Sequence, residues 1–271
     1  MPDHDPVNAI SEAEATGHTA EIFAEIRKTM QIPLVTSIWR TLDAIDGGLE
    51  TAWAATKPIY ESGHTDVLLS KLRAEIDLPT PKTFSTDEWK SLGIDSKDRA
   101  SIVTILEAYN RSNTLNLIAL TALVRNGSSK SPGETERPRV EWPELPTLMS
   151  KAEIKPEHWT LLEQTIPLGV NLPTSALPTL WRHLIHWPMF IECMLKHYRP
   201  LHENGKLFDM VDRVTNYVET HAPTLSHFRD DSFEIPEAAR QMIEQTVHAV
   251  TDRGKMLRLS RQVGAAVKLA P

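Results

Sequence analysis

The sequence has one cysteine, Cys193, among 271 residues. An intrachain disulfide and a metal site built from several cysteines are therefore excluded, and we expect a reducing, cytoplasmic environment. Glycine is also scarce, and neither a glycine-rich phosphate loop nor a GxSxG or HExxH motif occurs. These absences argue against the enzyme classes that depend on those motifs.

Positive charge is in deficit. The chain has 29 Lys and Arg residues against 36 Asp and Glu residues, which gives a formal net charge of −7. The Lys and Arg residues are scattered, without the basic patch that a nucleic-acid partner requires. The apolar stretch 114–124 is too short to cross a bilayer, and the acidic segment 1–6 lacks the features of a signal peptide. We expect neither a nucleic acid nor a membrane as a partner.

Apolar residues repeat every three or four positions in two stretches, which is the spacing that places side chains on one face of a helix. The two apolar stripes are Val35, Ile38, Leu42, Ile45 and Leu49, and Leu177, Leu180, Leu184, Trp187 and Ile191. Helix starts are indicated at Ser96, Pro156 and Pro236, and alternating β-branched runs are almost absent. The pattern predicts an all-α fold.

The two stripes match each other when the sequence is shifted by 142 residues. Seven of the 25 residues in 39–63 are identical after this shift, including Trp39 with Trp181 and Arg40 with Arg182. Average composition would give about one or two identities by chance. We interpret the match as an internal duplication.

The segment at about 126–146 is rich in Gly, Ser, Pro and charged residues, which is typical of an exposed linker. We therefore predict two helical repeats, 1–135 and 136–271, related by a pseudo-two-fold axis as an intramolecular pseudo-dimer. Packing the halves against each other is the simplest way to bury both stripes, and it would leave a cleft between them for a ligand.

His183 and His186 share a helix face three residues apart, a spacing that can serve metal ligation. No Asp or Glu follows at the same pitch before Glu192. We therefore expect no metal, and we interpret both histidines as side chains that are hydrogen-bonded or partly exposed.

Arg40 and Arg182 occupy equivalent positions of the two repeats. A guanidinium in a cleft can hold a carboxylate through a bidentate pair. The alternative is that these arginines tie the two halves together, through Glu50 and Glu192. The polar segment 109–113 interrupts an apolar helix, so its side chains need either helix-end hydrogen bonds or a bound water or substrate.

Three segments carry a family resemblance: Glu25-Ile-Arg-Lys-Thr-Met-Gln-Ile-Pro33, Tyr109-Asn-Arg-Ser-Asn113 and His186-Trp-Pro188. In order and spacing they resemble the group I 2-haloacid dehalogenases, the DehI family, over nearly the whole chain. The resemblance implies an all-α pseudo-dimer with its site between the repeats, no metal or organic cofactor, and further association into a homodimer. It implies hydrolytic chemistry, in which an aspartate activates a water that displaces halide from the α-carbon of a short 2-haloacid.

Matched residue by residue, the resemblance places the water-positioning asparagine on Asn113. The catalytic aspartate falls on Leu180 and the adjacent serine on Thr179. Leu180 also belongs to the second stripe, and a neutral side chain cannot accept a proton. No Asp or Glu lies between Gln164 and Phe190, so His183, one turn beyond Leu180, is the side chain that we nominate as the base.

The substrate pocket implied by the resemblance contains Leu34 and Ser37, where the family has a tryptophan and a phenylalanine, and lies near Thr251, where the family has a tyrosine. Arg40 and Arg182 complete the candidate pocket with Thr179 and Leu180. We predict a DehI-like 2-haloacid dehalogenase, a hydrolase of carbon–halide bonds. The alternatives are a protein that binds a small carboxylic acid or carries out other chemistry in the same cleft, and a non-catalytic scaffold.

Overall fold

In the computed structural model, residues 9–76, 84–127, 135–137, 139–168 and 177–247 are described. Within these ranges the chain forms α-helices and short 3-10 helices and no strand. The predicted all-α fold is confirmed. None of the helices in the described ranges has the length and apolar character needed to cross a membrane.

The α-helices are α1 Gly17–Met30, α2 Ser37–Leu42, α3 Gly48–Glu61, α4 His64–Glu75, α5 Thr86–Ser91, α6 Ser96–Val124, α7 Pro156–Glu163, α8 Thr179–His183, α9 Pro188–Glu203, α10 Lys206–His221 and α11 Glu237–Val247. Helices α6, α7 and α11 begin at or next to the predicted starts. Asp95 caps α6 by accepting a hydrogen bond of 2.8 Å from the backbone N–H of Asp98. Proline at the first position opens α7 and α9, where its missing N–H costs no helical hydrogen bond.

The helix boundaries follow the shift of 142 residues seen in the sequence. Helices α2, α3 and α4 correspond to α8, α9 and α10, and α2 and α4 begin at positions that map onto the first residues of α8 and α10. The residues before α4 and α10, Gly63 and Gly205, have φ values of 75° and 82°, the left-handed conformation that favours glycine. Both α3 and α9 also contain an internal proline, Pro58 and Pro200. These correspondences support the internal repeat, whereas the pseudo-two-fold packing and the division at residue 135 stay predictions.

Both apolar stripes are buried, but they lie in two different hydrophobic cores. The first stripe packs with α1, α3, the second half of α6 and α11. The second stripe packs with the first half of α6, α7 and α9. Burial alone suggested that the two stripes pack directly on each other. In the structure, each stripe is instead buried in its own core. Helix α6 contributes to both cores, because its 29 residues span about 43 Å at the rise of an α-helix.

A buried ion pair fixes α6 against the first repeat. Nη1 of Arg111, on α6, lies 2.6 Å from Oδ1 of Asp66, on α4, and both side chains are almost fully buried. The Arg111 guanidinium also donates hydrogen bonds of 3.1 and 3.2 Å to the backbone oxygen of Met30 at the end of α1. Helices α1, α4 and α6 are thus joined at one charged centre.

We predict that Asp66→Asn lowers the free energy of unfolding by about 3–5 kcal/mol, because it leaves the buried Arg111 without its carboxylate. Asp87→Asn is the matched control, since its carboxylate is 95% exposed and lies 3.9 Å from Lys90. An exposed pair of this kind contributes only about 0–1 kcal/mol. Urea unfolding followed by circular dichroism measures both variants, and equal losses would contradict the importance of the buried pair.

Candidate active site

A cavity of about 530 Å³ lies between α2 and α8, the equivalent helices of the two repeats. Its wall also includes Tyr109 of α6, the connection between α1 and α2, and two segments outside the α-helices, 11–14 and 145–153. We call the part 145–150 the strap, because it crosses the cavity wall without helical structure until the short 3-10 helix at Lys151–Glu153. The volume falls in the range of small-molecule sites.

Two arginines reach this cavity from equivalent positions. Arg40 lies in the last turn of α2, Arg182 lies in α8, and they are 3% and 6% exposed. Nη1 of Arg40 donates a hydrogen bond of 3.3 Å to the backbone oxygen of Ile10. Because arginine stays protonated at all physiological pH values, each of these two side chains places a fixed positive charge in the cavity wall.

His183 also lines the cavity and is 4% exposed. Its Nε2 lies 2.6 Å from the backbone oxygen of Pro146 in the strap, so Nε2 carries the proton and donates it. Nδ1 then accepts, and it lies 3.4 Å from the hydroxyl of Tyr109. Burial lowers the pKa of His183 to about 4, with a smaller lowering by His186 and Arg182 and an opposing effect of the Pro146 carbonyl. The imidazole is therefore neutral at pH 7 and is a weak base.

His186 serves the strap in the same way as His183. Its Nε2 lies 2.8 Å from the backbone oxygen of Thr147, next to the carbonyl that His183 binds. The spacing of three residues thus places two donors on successive carbonyls of one segment. Among the described residues no group of three or more His, Cys, Asp or Glu side chains is arranged to hold a metal ion.

The structure brings some of the predicted site residues together and separates others. Those that line the cavity are Leu34, Arg40, Thr179, Arg182 and His183. Those that do not line it are Ser37, Asn113 and Leu180, and Thr251 lies outside the described residues. Leu180 is fully buried in the second core, which explains why an apolar residue stands there. Asn113 is 1% exposed on α6, one turn beyond the cavity residue Tyr109 on the same helix face.

Three carboxylates at the cavity were missed by the sequence reasoning: Glu12, Glu14 and Glu153. Glu12 accepts a hydrogen bond from Arg27 and another, of 2.6 Å, from the backbone N–H of Val35. Glu14 accepts from the Ser11 hydroxyl at 2.6 Å. Glu153 accepts from the backbone N–H and hydroxyl of Ser150, and these bonds lower its pKa. The signal for Glu14 and Glu153 was the Ser-x-x-Glu spacing of Ser11–Glu14 and Ser150–Glu153, which marks a local hydrogen-bonded turn or cap and not a catalytic site.

The arrangement suits one kind of chemistry. Two buried guanidiniums can hold the carboxylate of a small acid, and the Nδ1 atom of His183 can accept a hydrogen bond from a water beside it. The hydrogen bonds from Ser150 lower the pKa of Glu153, which makes this carboxylate a poor proton acceptor. A water held at His183 next to a bound carboxylic acid is the reactive pair that this geometry offers.

No protein-family model matches the chain. Over 111 residues it is 26% identical to an (R)-2-haloacid dehalogenase of Pseudomonas putida, an alignment that covers 39% of this chain and 37% of that protein. The matched segment therefore spans little more than a third of the length of the curated relative.

Solved structures of D-2-haloacid dehalogenases are similar over almost the whole chain. A mutant in complex with D-2-CPA gives a TM-score of 0.66 at 13% identity, another mutant gives 0.69 at 14%, and a complex with L-LA gives 0.67 at 13%. These alignments cover 97% of this chain and 94–95% of the other chains. The chain has the fold of these proteins, and the resemblance noted in the sequence is confirmed.

We predict that stability falls as the pH is lowered from about 6.5 to 4. The unfolded histidine has a pKa of about 6.5 and the folded His183 a pKa of about 4. Over this window the unfolded state binds the proton and the folded state does not, so acid favours unfolding. The loss reaches about 3 kcal/mol at pH 4.

His183→Gln keeps a donor for the strap and removes the titrating group, so the variant should lose this share of the pH dependence. The control His227→Gln changes an exposed histidine that lies outside the cavity wall and should retain the wild-type pH dependence. Urea unfolding at several pH values measures both. A pH dependence of His183→Gln equal to that of the wild type would contradict the burial argument.

Proposed function

We propose that this protein is a divergent DehI-like hydrolase that replaces the halide of a 2-haloacid by a hydroxyl group from water. One observation supports this most strongly. Arg40 and Arg182, which are equivalent in the two repeats, lie with His183 at one cavity in a fold shared with D-2-haloacid dehalogenases.

Binding of the acid is assigned to the two arginines. A guanidinium matches the geometry of a carboxylate and remains charged when buried, so a pair of them selects an anion over a neutral molecule. Arg40 and Arg182 are only 3% and 6% exposed. Water therefore screens their charges less, which strengthens the preference for an anion.

Halide displacement needs a water oxygen to attack the α-carbon. A carbon–oxygen bond forms as the carbon–halide bond breaks, the halide leaves with the bonding electron pair, and a base takes the proton from the water. We assign this proton to Nδ1 of His183, since Nε2 is committed to Pro146. The water would replace the Tyr109 hydroxyl, which lies 3.4 Å from Nδ1. The family resemblance assigns water positioning to Asn113. Because Asn113 does not line the cavity, this part of the proposal depends on the resemblance alone.

The alternative is a protein that binds a small carboxylic acid without releasing halide. Two observations favour it: the position expected for the catalytic aspartate is Leu180 in the second core, and the pKa of His183 is lowered to about 4. A base with so low a pKa holds a proton poorly, and loss of general-base help lowers a rate by about 10²–10⁴-fold.

A cytoplasmic location and assembly into a homodimer are further parts of the proposal that the protein is a DehI-like hydrolase.

We predict slow halide release from 2-chloropropionate and 2-bromopropionate, with each enantiomer measured separately by ion chromatography. His183→Ala removes the proton acceptor and should abolish release, and Asn113→Ala should reduce it. His227→Ala, at an exposed site outside the cavity, is the control and should release halide at the wild-type rate.

Unchanged release in His183→Ala would eliminate this histidine as the base. If the wild type releases no halide but a 2-haloacid raises its melting temperature, the binding protein is the correct function, because affinity for the native state alone produces that shift. If the wild type neither releases halide nor shows a shift in melting temperature, the scaffold role remains.

We predict that Arg182→Gln and Arg40→Gln each weaken binding of a small carboxylic acid by about 10–100-fold, the range expected for a lost hydrogen bond to a charged group. Arg199→Gln is the control, since Arg199 is exposed and its Nη2 donates a hydrogen bond of 3.2 Å to Gln164. Isothermal titration measures affinity, and the melting temperature of each variant shows that it is folded. Wild-type affinity in both cavity variants would refute the arginine assignment.

A further inference from the structure

The cavity is much larger than a three-carbon haloacid. Such an acid has about six non-hydrogen atoms, and at about 30 Å³ for each water-sized atom it would occupy about 180 Å³. The cavity measures about 530 Å³, so a three-carbon acid would leave about two thirds of it to water. A site matched to its ligand excludes most of this water.

Apolar side chains form part of the cavity wall, which also includes Lys151 and the three glutamates. Leu34 and Val35 come from the connection between α1 and α2, and Leu145 and Leu148 come from the strap. They form part of the same cavity as Arg40 and Arg182. The cavity therefore combines two guanidiniums that suit a carboxylate with apolar side chains that suit a hydrocarbon chain.

The strap is held in place by specific hydrogen bonds. His183 and His186 donate to the backbone oxygens of Pro146 and Thr147 at 2.6 and 2.8 Å. Just before the strap, Nε1 of Trp142 donates to the backbone oxygen of Gln31 at 2.9 Å. Because these bonds position Leu145 and Leu148 before any ligand arrives, the apolar wall is preformed and its ordering does not oppose binding.

We propose that the ligand of this cavity is a monocarboxylic acid with an aliphatic chain of at least about eight carbons. At about 30 Å³ per atom, the ten non-hydrogen atoms of an eight-carbon acid would fill more than half of the cavity. The inference rests on the proposed function in so far as the arginines hold the carboxylate. The chain of the acid lies against Leu34, Val35, Leu145 and Leu148. For the hydrolytic reaction, the corresponding substrate is a 2-haloacid of the same chain length.

The first test measures dissociation constants of propionate, hexanoate and octanoate by isothermal titration. Each buried methylene should tighten binding about threefold. Octanoate has five more methylenes than propionate, so it should bind about two-hundredfold tighter. Octanol has the chain without the carboxylate and should bind more weakly than octanoate. Equal affinity for propionate and octanoate, or no binding of either, would overturn the inference.

Halide release from 2-bromopropionate and 2-bromooctanoate, measured in parallel, separates this inference from the proposed function. Tighter binding of octanoate without any halide release would refute the hydrolase and leave the chain-length inference standing. Halide release together with equal affinity for the short and long acids would support the hydrolase and refute the chain-length inference.

The second test fills the cavity. Leu148→Trp should weaken octanoate binding at least tenfold and propionate binding much less, because the indole occupies space that the long chain needs. Leu161→Trp is the matched control, since Leu161 is also half-buried but lies on α7, outside the cavity wall. A melting temperature for each variant shows that it is folded. Wild-type octanoate affinity in Leu148→Trp would refute the assignment of the strap as the chain-binding wall.

Discussion

The cavity depends on the hydrogen bonds of polar side chains that α6 places in the interior. Asn116 accepts from Nε1 of Trp39 at 3.0 Å and from the Tyr60 hydroxyl at 2.9 Å, and its Nδ2 donates to the Thr36 hydroxyl at 2.6 Å. Buried polar groups are costly unless they are paired, so these bonds fix the geometry strongly. Thr36 and Trp39 flank the start of α2, and Arg40 is the next residue. The orientation of one wall of the site therefore follows from a helix that runs through both cores.

The second repeat builds its wall differently. Under the shift of 142 residues, His183 and His186 correspond to Thr41 and Ala44 of the first repeat. The histidines therefore occur in one repeat only, the one whose side chains hold the strap. Arg40 and Arg182 are common to both repeats. The shared residues supply charge to the cavity, whereas the residues that differ make its wall asymmetric.

Much of the fold could be predicted because its signals are local. Helix starts follow from caps and prolines, and the stripes follow from periodicity, so α6, α7 and the burial of Leu42 and Leu184 were all foreseen. The repeat also indicated that Arg40 and Arg182 have equivalent places, and both line the cavity.

The rest of the site depends on contacts between distant parts of the chain. Glu12 reaches the cavity from the N-terminal segment, and its role is set by Arg27 and Val35, neither of which has a recognisable spacing from it. The strap carries no periodic pattern. The low pKa of His183 results from burial by elements far apart in sequence. Motif matching found the residue, but not the environment that weakens it as a base.

The charge of a bound acid bears on the basicity of His183. Part of the lowering of its pKa comes from the positive charge of Arg182, and burial supplies the larger part. A carboxylate held by the arginines would offset the first contribution, because a nearby negative charge favours the imidazolium form. It would leave the lowering of the pKa by burial in place or increase it, since the ligand also excludes water. His183 therefore becomes a stronger base on binding only if the carboxylate lies closer to the imidazole than the hydrocarbon chain does. The position of the chain against the strap, and not the arginines alone, decides whether the cavity can turn over what it binds.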